Sequence, residues 1–106
     1  MRRFEDKNVV ITGSSRGIGL AILEAFAKEG ANIAACSNRK SDSVIENYKN
    51  ISSQYGIEIY PFFFDMSDEE AVKEGAKAVK EKMTQVDVLV NNAEAKIGRA
   101  VQQECR

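Results

Sequence analysis

The 106-residue sequence has no histidine and no tryptophan, one proline and only two cysteines. Without histidine, every Ser-His or Cys-His catalytic pairing is excluded, because no imidazole is present to take the proton. Cys36 and Cys105 stand far apart with no Cys-x-x-Cys spacing. Neither a structural metal site nor a disulfide framework is therefore expected, and a reducing cytoplasm is the natural compartment. No stretch approaches the ~18 apolar residues of a membrane span. Glu5, Asp6 and Lys7 occupy the place where a signal peptide needs an apolar run. An excess of either charge is also lacking: 15 basic and 16 acidic residues leave a formal net charge of -1. Neither nucleic acid nor a membrane surface is an expected partner.

What is present is an alternation of short β-branched runs and longer helical ones, without repeat, linker or low-complexity segment. Residues 1–106 suit a single domain, long enough to bury roughly two thirds of its unfolded surface. Asn8 to Thr12 reads as a buried strand. A glycine-rich turn follows, then a helix from Ile18 to Lys28 with Ile18, Ala21, Ile22, Ala25 and Phe26 facing inward and Gly30 stopping it. Ile33 to Cys36 is a second strand. Ser41 caps a second helix, which presents Val44, Ile45, Tyr48 and Ile51 inward and ends at Gly56. Ile57 to Phe64 is a third strand, placed at a sheet edge by Pro61. Ser67 and Glu70 form a capping box for a third helix running through Met83, with Val72, Ala76 and Val79 as its buried stripe. Val86 to Val90 is the fourth strand, and Ala93 to Arg106 is read as one more short helix with Ile97, Ala100 and Val101 inward.

Strands joined in this way by helices must run parallel through right-handed crossovers. The expected fold class is α/β, a Rossmann-type three-layer α/β/α arrangement with strand order 3-2-1-4. That order leaves Val86 to Val90 at an edge with no proline or lysine to discourage pairing, so self-association through this fourth strand is expected unless the tail from Ala93 to Arg106 folds over it.

The turn Thr12-Gly13-Ser14-Ser15-Arg16-Gly17-Ile18-Gly19 carries the functional signal. Gly13 permits a tight exit from the strand, Gly17 removes a Cβ where a pyrophosphate approaches the backbone, and Gly19 lets the helix pack closely. The helix N-terminus then offers free N–H groups and partial positive charge to phosphate. No Gly-Lys-Ser/Thr closes the turn, so it is not a P-loop. A phosphoacceptor receiver domain also places an acid after its third strand, as Asp65 is here. It needs acidic residues after the first strand for Mg²⁺, however, where this sequence has Thr12-Gly13-Ser14.

The Gly-x-x-x-Gly-x-Gly spacing preceded by Thr resembles the cofactor motif of the short-chain dehydrogenase/reductase family. Asp65-Met66 after the third strand and Asn91-Asn92-Ala93 after the fourth match two further signatures of that family in order. The resemblance spans about residues 4–93 and, within the family, looks most like the 3-oxoacyl-acyl-carrier-protein reductases; residues 94–106 form an atypical tail. It implies a nicotinamide cofactor held by Gly13, Ser14, Ser15, Arg16, Gly17, Ile18 and Gly19 in the turn and by Ser37, Asn38 and Arg39 after the second strand. Asp65 and Met66, with Asp65 at the adenine ring, and then Asn92 and Ala93 complete the set. Where an acid would accept from a ribose 2′-hydroxyl, the sequence reads Ser37-Asn38-Arg39-Lys40, and Arg16 points to the same corner. Guanidinium groups there favour the 2′-phosphate of NADP(H) over NAD(H).

The family's catalytic Ser and Tyr-x-x-x-Lys lie beyond the Asn-Asn-Ala strand. None of Tyr48, Tyr55 and Tyr60 has a lysine four residues on, so no catalytic residue is assigned. Glu94 replaces the glycine that follows Asn-Asn-Ala in the family, which alters one wall of the expected site. The expectation is the cofactor-binding half of an oxidoreductase, inactive in hydride transfer by itself. A catalytically inert nucleotide-binding or interaction module is the alternative.

Overall fold

The computed structural model describes residues 2–92. Seven elements alternate along them: β1 (Asn8–Thr12), α1 (Gly17–Lys28), β2 (Asn32–Ser37), α2 (Asp42–Tyr55), β3 (Ile59–Phe63), α3 (Glu69–Lys82) and β4 (Val88–Asn91). All strand pairs are parallel and the order is β3-β2-β1-β4, as expected. The tail from Ala93 to Arg106, with its expected helix, lies outside the described residues.

Alternation along each strand divides the core between two faces. Val9, Ile11, Ile33 and Ala35 pack with Leu23 and Ala27 of α1 and Tyr48 and Ile51 of α2. Val10, Ala34 and Cys36 face the other way onto Val72, Ala76 and Val79 of α3. Val9, Val10 and Ile11 are wholly buried, each contributing roughly 1.5–3 kcal/mol of transfer free energy. β3 and β4 are half-buried edges, and Pro61 sits on the edge strand β3 as its missing N–H requires.

Several boundaries and faces differ from the sequence reading. The buried residues of α1 are Gly19, Leu23 and Ala27; Ile22 and Phe26 pack partly buried against the same core as expected, whereas Ala21 and Ala25 are exposed and Ile18 is 74% exposed. The segment is apolar nearly all round, so its periodicity does not choose a face; close approach at the side-chain-free Gly19 does. The capping box of α3 does not form. Ser67 directs its N–H and hydroxyl to Asp65, the N-cap is Asp68, which accepts from the Glu70 N–H at 3.2 Å, and the Glu70 carboxylate lies 3.8 Å from Lys73. Ser41 holds the N-cap position of α2, but its hydroxyl meets Ser43 Oγ instead of the backbone.

β3 starts two residues later than expected, because Ile57 N–H turns back to the Ser52 carbonyl after the left-handed Gly56. β4 is shifted towards Asn91. Before it, the Asp87 carboxylate accepts from the Asn8 N–H at 2.8 Å and from Gln85, which holds its pKa below the ordinary carboxylate value.

Candidate functional site

The carboxyl ends of the four strands open onto a groove of about 730 Å³. The chain runs from β1 to β2 and β3 on one side and returns to β4 on the other. The groove therefore lies at the point where strand order reverses, where open α/β sheets bind ligands.

One wall is the turn after β1: Gly13, Ser15, Arg16, Gly17 and Ile18 line it. Gly13 and Gly17 have φ of 64° and 59°, a left-handed conformation that side chains disfavour. A Cβ on Gly17 would meet no atom of the described residues within 4 Å. Gly17 thus borders open space at the start of α1, whose N-terminus no side chain caps and whose first turn has no acid. Ile18, expected in the core, lines the groove instead. Gly19 does not line it. A Cβ there would fall on the Gly13 carbonyl, so Gly19 is what brings α1 against the turn.

The facing wall comes from the end of β2 and the start of α2. Ser37, Asn38, Arg39, Ser41 and Val44 line it. Ser37 is buried, and its Oγ has no hydrogen-bond partner among the described residues. Arg16 and Arg39 are both exposed, and among the described residues neither forms an ion pair. Lys40 is exposed and does not line the groove.

Met66 closes one end, and its N–H donates to Asn38 Oδ1 at 2.9 Å, joining the loops after β2 and β3. Asp65 stands outside the lining. Its carboxylate accepts from Ser67 Oγ at 2.6 Å and Ser67 N–H at 2.9 Å, which lowers its pKa. Asn92 reaches the floor and donates from Nδ2 to the Gly13 carbonyl at 3.1 Å, while Thr12 Oγ1 donates to Asn91 Oδ1 at 3.0 Å. Ala93 lies outside the described residues.

Ser14 turns away from the groove. Its Oγ bonds the Cys36 carbonyl and the Tyr48 hydroxyl beneath the turn. Burial pushes the Cys36 thiol up to about 12, so Cys36 is an inert core residue. From the sequence Tyr48 reads simply as core, and Ser41 and Val44 carry no signal for the site. The signal for Tyr48 was a hydroxyl on an otherwise apolar helix face, which needs a partner when buried.

The groove combines an uncapped helix N-terminus, a glycine bordering open space, two arginines and a buried hydroxyl without a partner. Together these suit an elongated phosphorylated ligand. Among the described residues no three His, Cys, Asp or Glu side chains gather to hold a metal, and no helix is long and apolar enough to cross a membrane.

Comparison with known proteins agrees with this geometry. The family model of the short chain dehydrogenases matches residues 7–105. An L-rhamnose 1-dehydrogenase (NADP(+)) from Thermoplasma acidophilum is 41% identical over 97 residues, covering 88% of this chain and 36% of that protein. The structure of L-sorbose reductase from Gluconobacter frateurii, complexed with NADPH and L-sorbose, superposes with a TM-score of 0.78 at 37% identity, over 87% of this chain and 35% of that one. A 3-oxoacyl-acyl-carrier-protein reductase from Brucella melitensis, in complex with NAD, superposes with a TM-score of 0.74 at 27% identity, over 84% and 34%. The chain spans about a third of the length of the curated relatives it matches.

Proposed function

Because this chain belongs to the short-chain dehydrogenase family, we propose that its groove binds a nicotinamide dinucleotide, NADP(H) in preference to NAD(H), as the cofactor-binding portion of an oxidoreductase acting between alcohols and carbonyls. The observation that carries this reading is that Arg16 and Arg39, neither in an ion pair among the described residues, line one groove together with the buried hydroxyl of Ser37. When bound, the dinucleotide supplies or accepts the hydride. The chain binds and orients it. Backbone N–H groups from Ser15 to Ile18 and the α1 N-terminus receive the pyrophosphate. Ser37, Arg16 and Arg39 receive the 2′-phosphate, a group that guanidinium binds with charge-assisted hydrogen bonds. Asn38 and Met66 border the adenine and Asn92 the far end, with Asp65 beside Met66 but outside the lining; Ser14 and Gly19 support the turn from behind.

Affinity for the two cofactors tests the reading. NADPH is expected to bind more tightly than NADH, and Arg39→Asp to erase or reverse the preference. A hydrogen bond to a charged group is worth about 1.5–3 kcal/mol, so NADPH affinity should fall about ten- to a hundredfold with little change for NADH. Calorimetric titration of both cofactors checks this, and equal affinities in the unmutated chain would refute the preference.

With no Tyr-x-x-x-Lys in the sequence, binding without turnover is the expected behaviour of these 106 residues in an NADPH assay with a 3-oxoacyl thioester. Binding without turnover is also what the inert-module reading expects. Turnover by this chain would exclude that reading, and would equally show that the catalytic group lies where no family motif places it.

We also propose that the chain self-associates through β4. Among the described residues β4 has β1 on one side and no strand on the other, and Val88, Leu89 and Val90 are only half-buried. Sedimentation velocity should show a mass rising with concentration, and Val88→Lys should restore the monomer by charging the edge. A concentration-independent monomer in the unmutated chain would refute the proposal.

A further inference from the structure

We propose that Tyr48 is a positioning residue for the phosphate-binding turn, setting the separation of the two groove walls through Ser14; the inference rests on the groove being the dinucleotide site. Tyr48 lies within α2 and is 2% exposed. Its hydroxyl is 3.0 Å from Ser14 Oγ, and Ser14 Oγ is 3.2 Å from the Cys36 carbonyl. A carbonyl only accepts, so with the single hydroxyl proton of Ser14 on Cys36, as the 3.2 Å contact places it, Tyr48 is the donor to Ser14. The result is a directed relay from the Tyr48 hydroxyl through the Ser14 hydroxyl to the Cys36 carbonyl, in a buried setting where successive hydrogen bonds reinforce one another. The Ser14 N–H also donates to the same carbonyl at 3.2 Å.

The placement gives the relay its consequence. Ser14 follows Gly13, the first residue of one groove wall, while Val44 of the other wall lies one helical turn before Tyr48. Cys36 immediately precedes Ser37, whose unpartnered hydroxyl borders the same groove. One phenol therefore ties together the glycine turn, the end of β2 and the middle of α2. Burial raises the Tyr48 pKa, so the phenol stays a proton donor at neutral pH.

Tyr48→Phe keeps the ring and removes the donor. In the 106-residue chain it is expected to weaken NADPH and NADH by the same factor, about tenfold, leaving their ratio intact. That separates it from Arg39→Asp, which changes the ratio. Amide hydrogen exchange at Ser14, Ser15 and Arg16 should quicken without cofactor, while Val10 and Ile11 keep their protection. Ser14→Ala breaks the relay from its other side, so Tyr48→Phe added to Ser14→Ala should cost almost nothing more. A phenol that served only packing would shift the melting temperature and leave affinity and turn exchange alone. Tyr48→Phe binding both cofactors within twofold of the unmutated chain, with unchanged turn exchange, overturns the inference alone. Failure of the unmutated chain to bind either cofactor overturns the reading of the groove and the inference together.

Discussion

Gly17→Val is expected to weaken NADPH binding at least about a hundredfold, equivalent to roughly 2.7 kcal/mol, while the sheet persists. Two separate costs act. The first is conformational: Gly17 has φ of 59°, and a left-handed backbone costs a non-glycine residue roughly 1–2 kcal/mol, more for a β-branched one. The second appears only when ligand is present. A Cβ at Gly17 meets no atom of the described residues within 4 Å, so no clash among them forces the chain apart. In the proposed binding mode the open space it enters is the side from which the pyrophosphate approaches the turn. Affinity should therefore fall further than stability, and Gly17→Ala should fall between valine and wild type on both measures. Titration of NADPH beside thermal melts followed by far-ultraviolet circular dichroism checks this. Undiminished binding by Gly17→Val would mean that the turn holds no phosphate.

Gly19→Ala, two residues on in the same motif, is expected to fail by the opposite route. Alanine is normally the better helix former by about 0.5–1 kcal/mol. Here its Cβ would fall on the Gly13 carbonyl and lie 2.8 Å from Asn92 Nδ2. Those neighbours are fixed: Gly13 is backbone in the turn, and Asn92 already donates to the Gly13 carbonyl. Either α1 lifts from the sheet or the turn opens. Overpacking of this kind costs about 3 kcal/mol at the upper end of the usual range, a loss of roughly 10–20 °C in melting temperature for a domain of this size. Cofactor affinity should fall as a consequence. A Gly19→Ala chain that melts at or above the wild-type temperature would show that α1 does not need this close approach.

The two glycines mark a division that runs through the whole molecule. Sequence by itself determined β1 to the residue, the parallel order β3-β2-β1-β4, the end of α2 at Gly56 and the Val72, Ala76, Val79 stripe of α3. Each depends on short-range regularities: a period in the apolar residues, a glycine at a left-handed position, or the handedness that L-residues impose on crossovers. The glycine turn was legible for the same reason, since its job is written in the spacing of three glycines. Tertiary structure decided which side of α1 is the inside, because a helix apolar nearly all round offers no preferred face until Gly19 finds the Gly13 carbonyl. It decided that Asp68 rather than Ser67 caps α3, because Ser67 is already engaged by Asp65. It alone brought Tyr48 to Ser14 across 34 residues and Asn92 to Gly13 across 79. Such polar partners carry no periodic signature. Each is selected only after the sheet has closed, when a buried hydroxyl or amide must find a partner among the few groups within reach or bear the cost of desolvation.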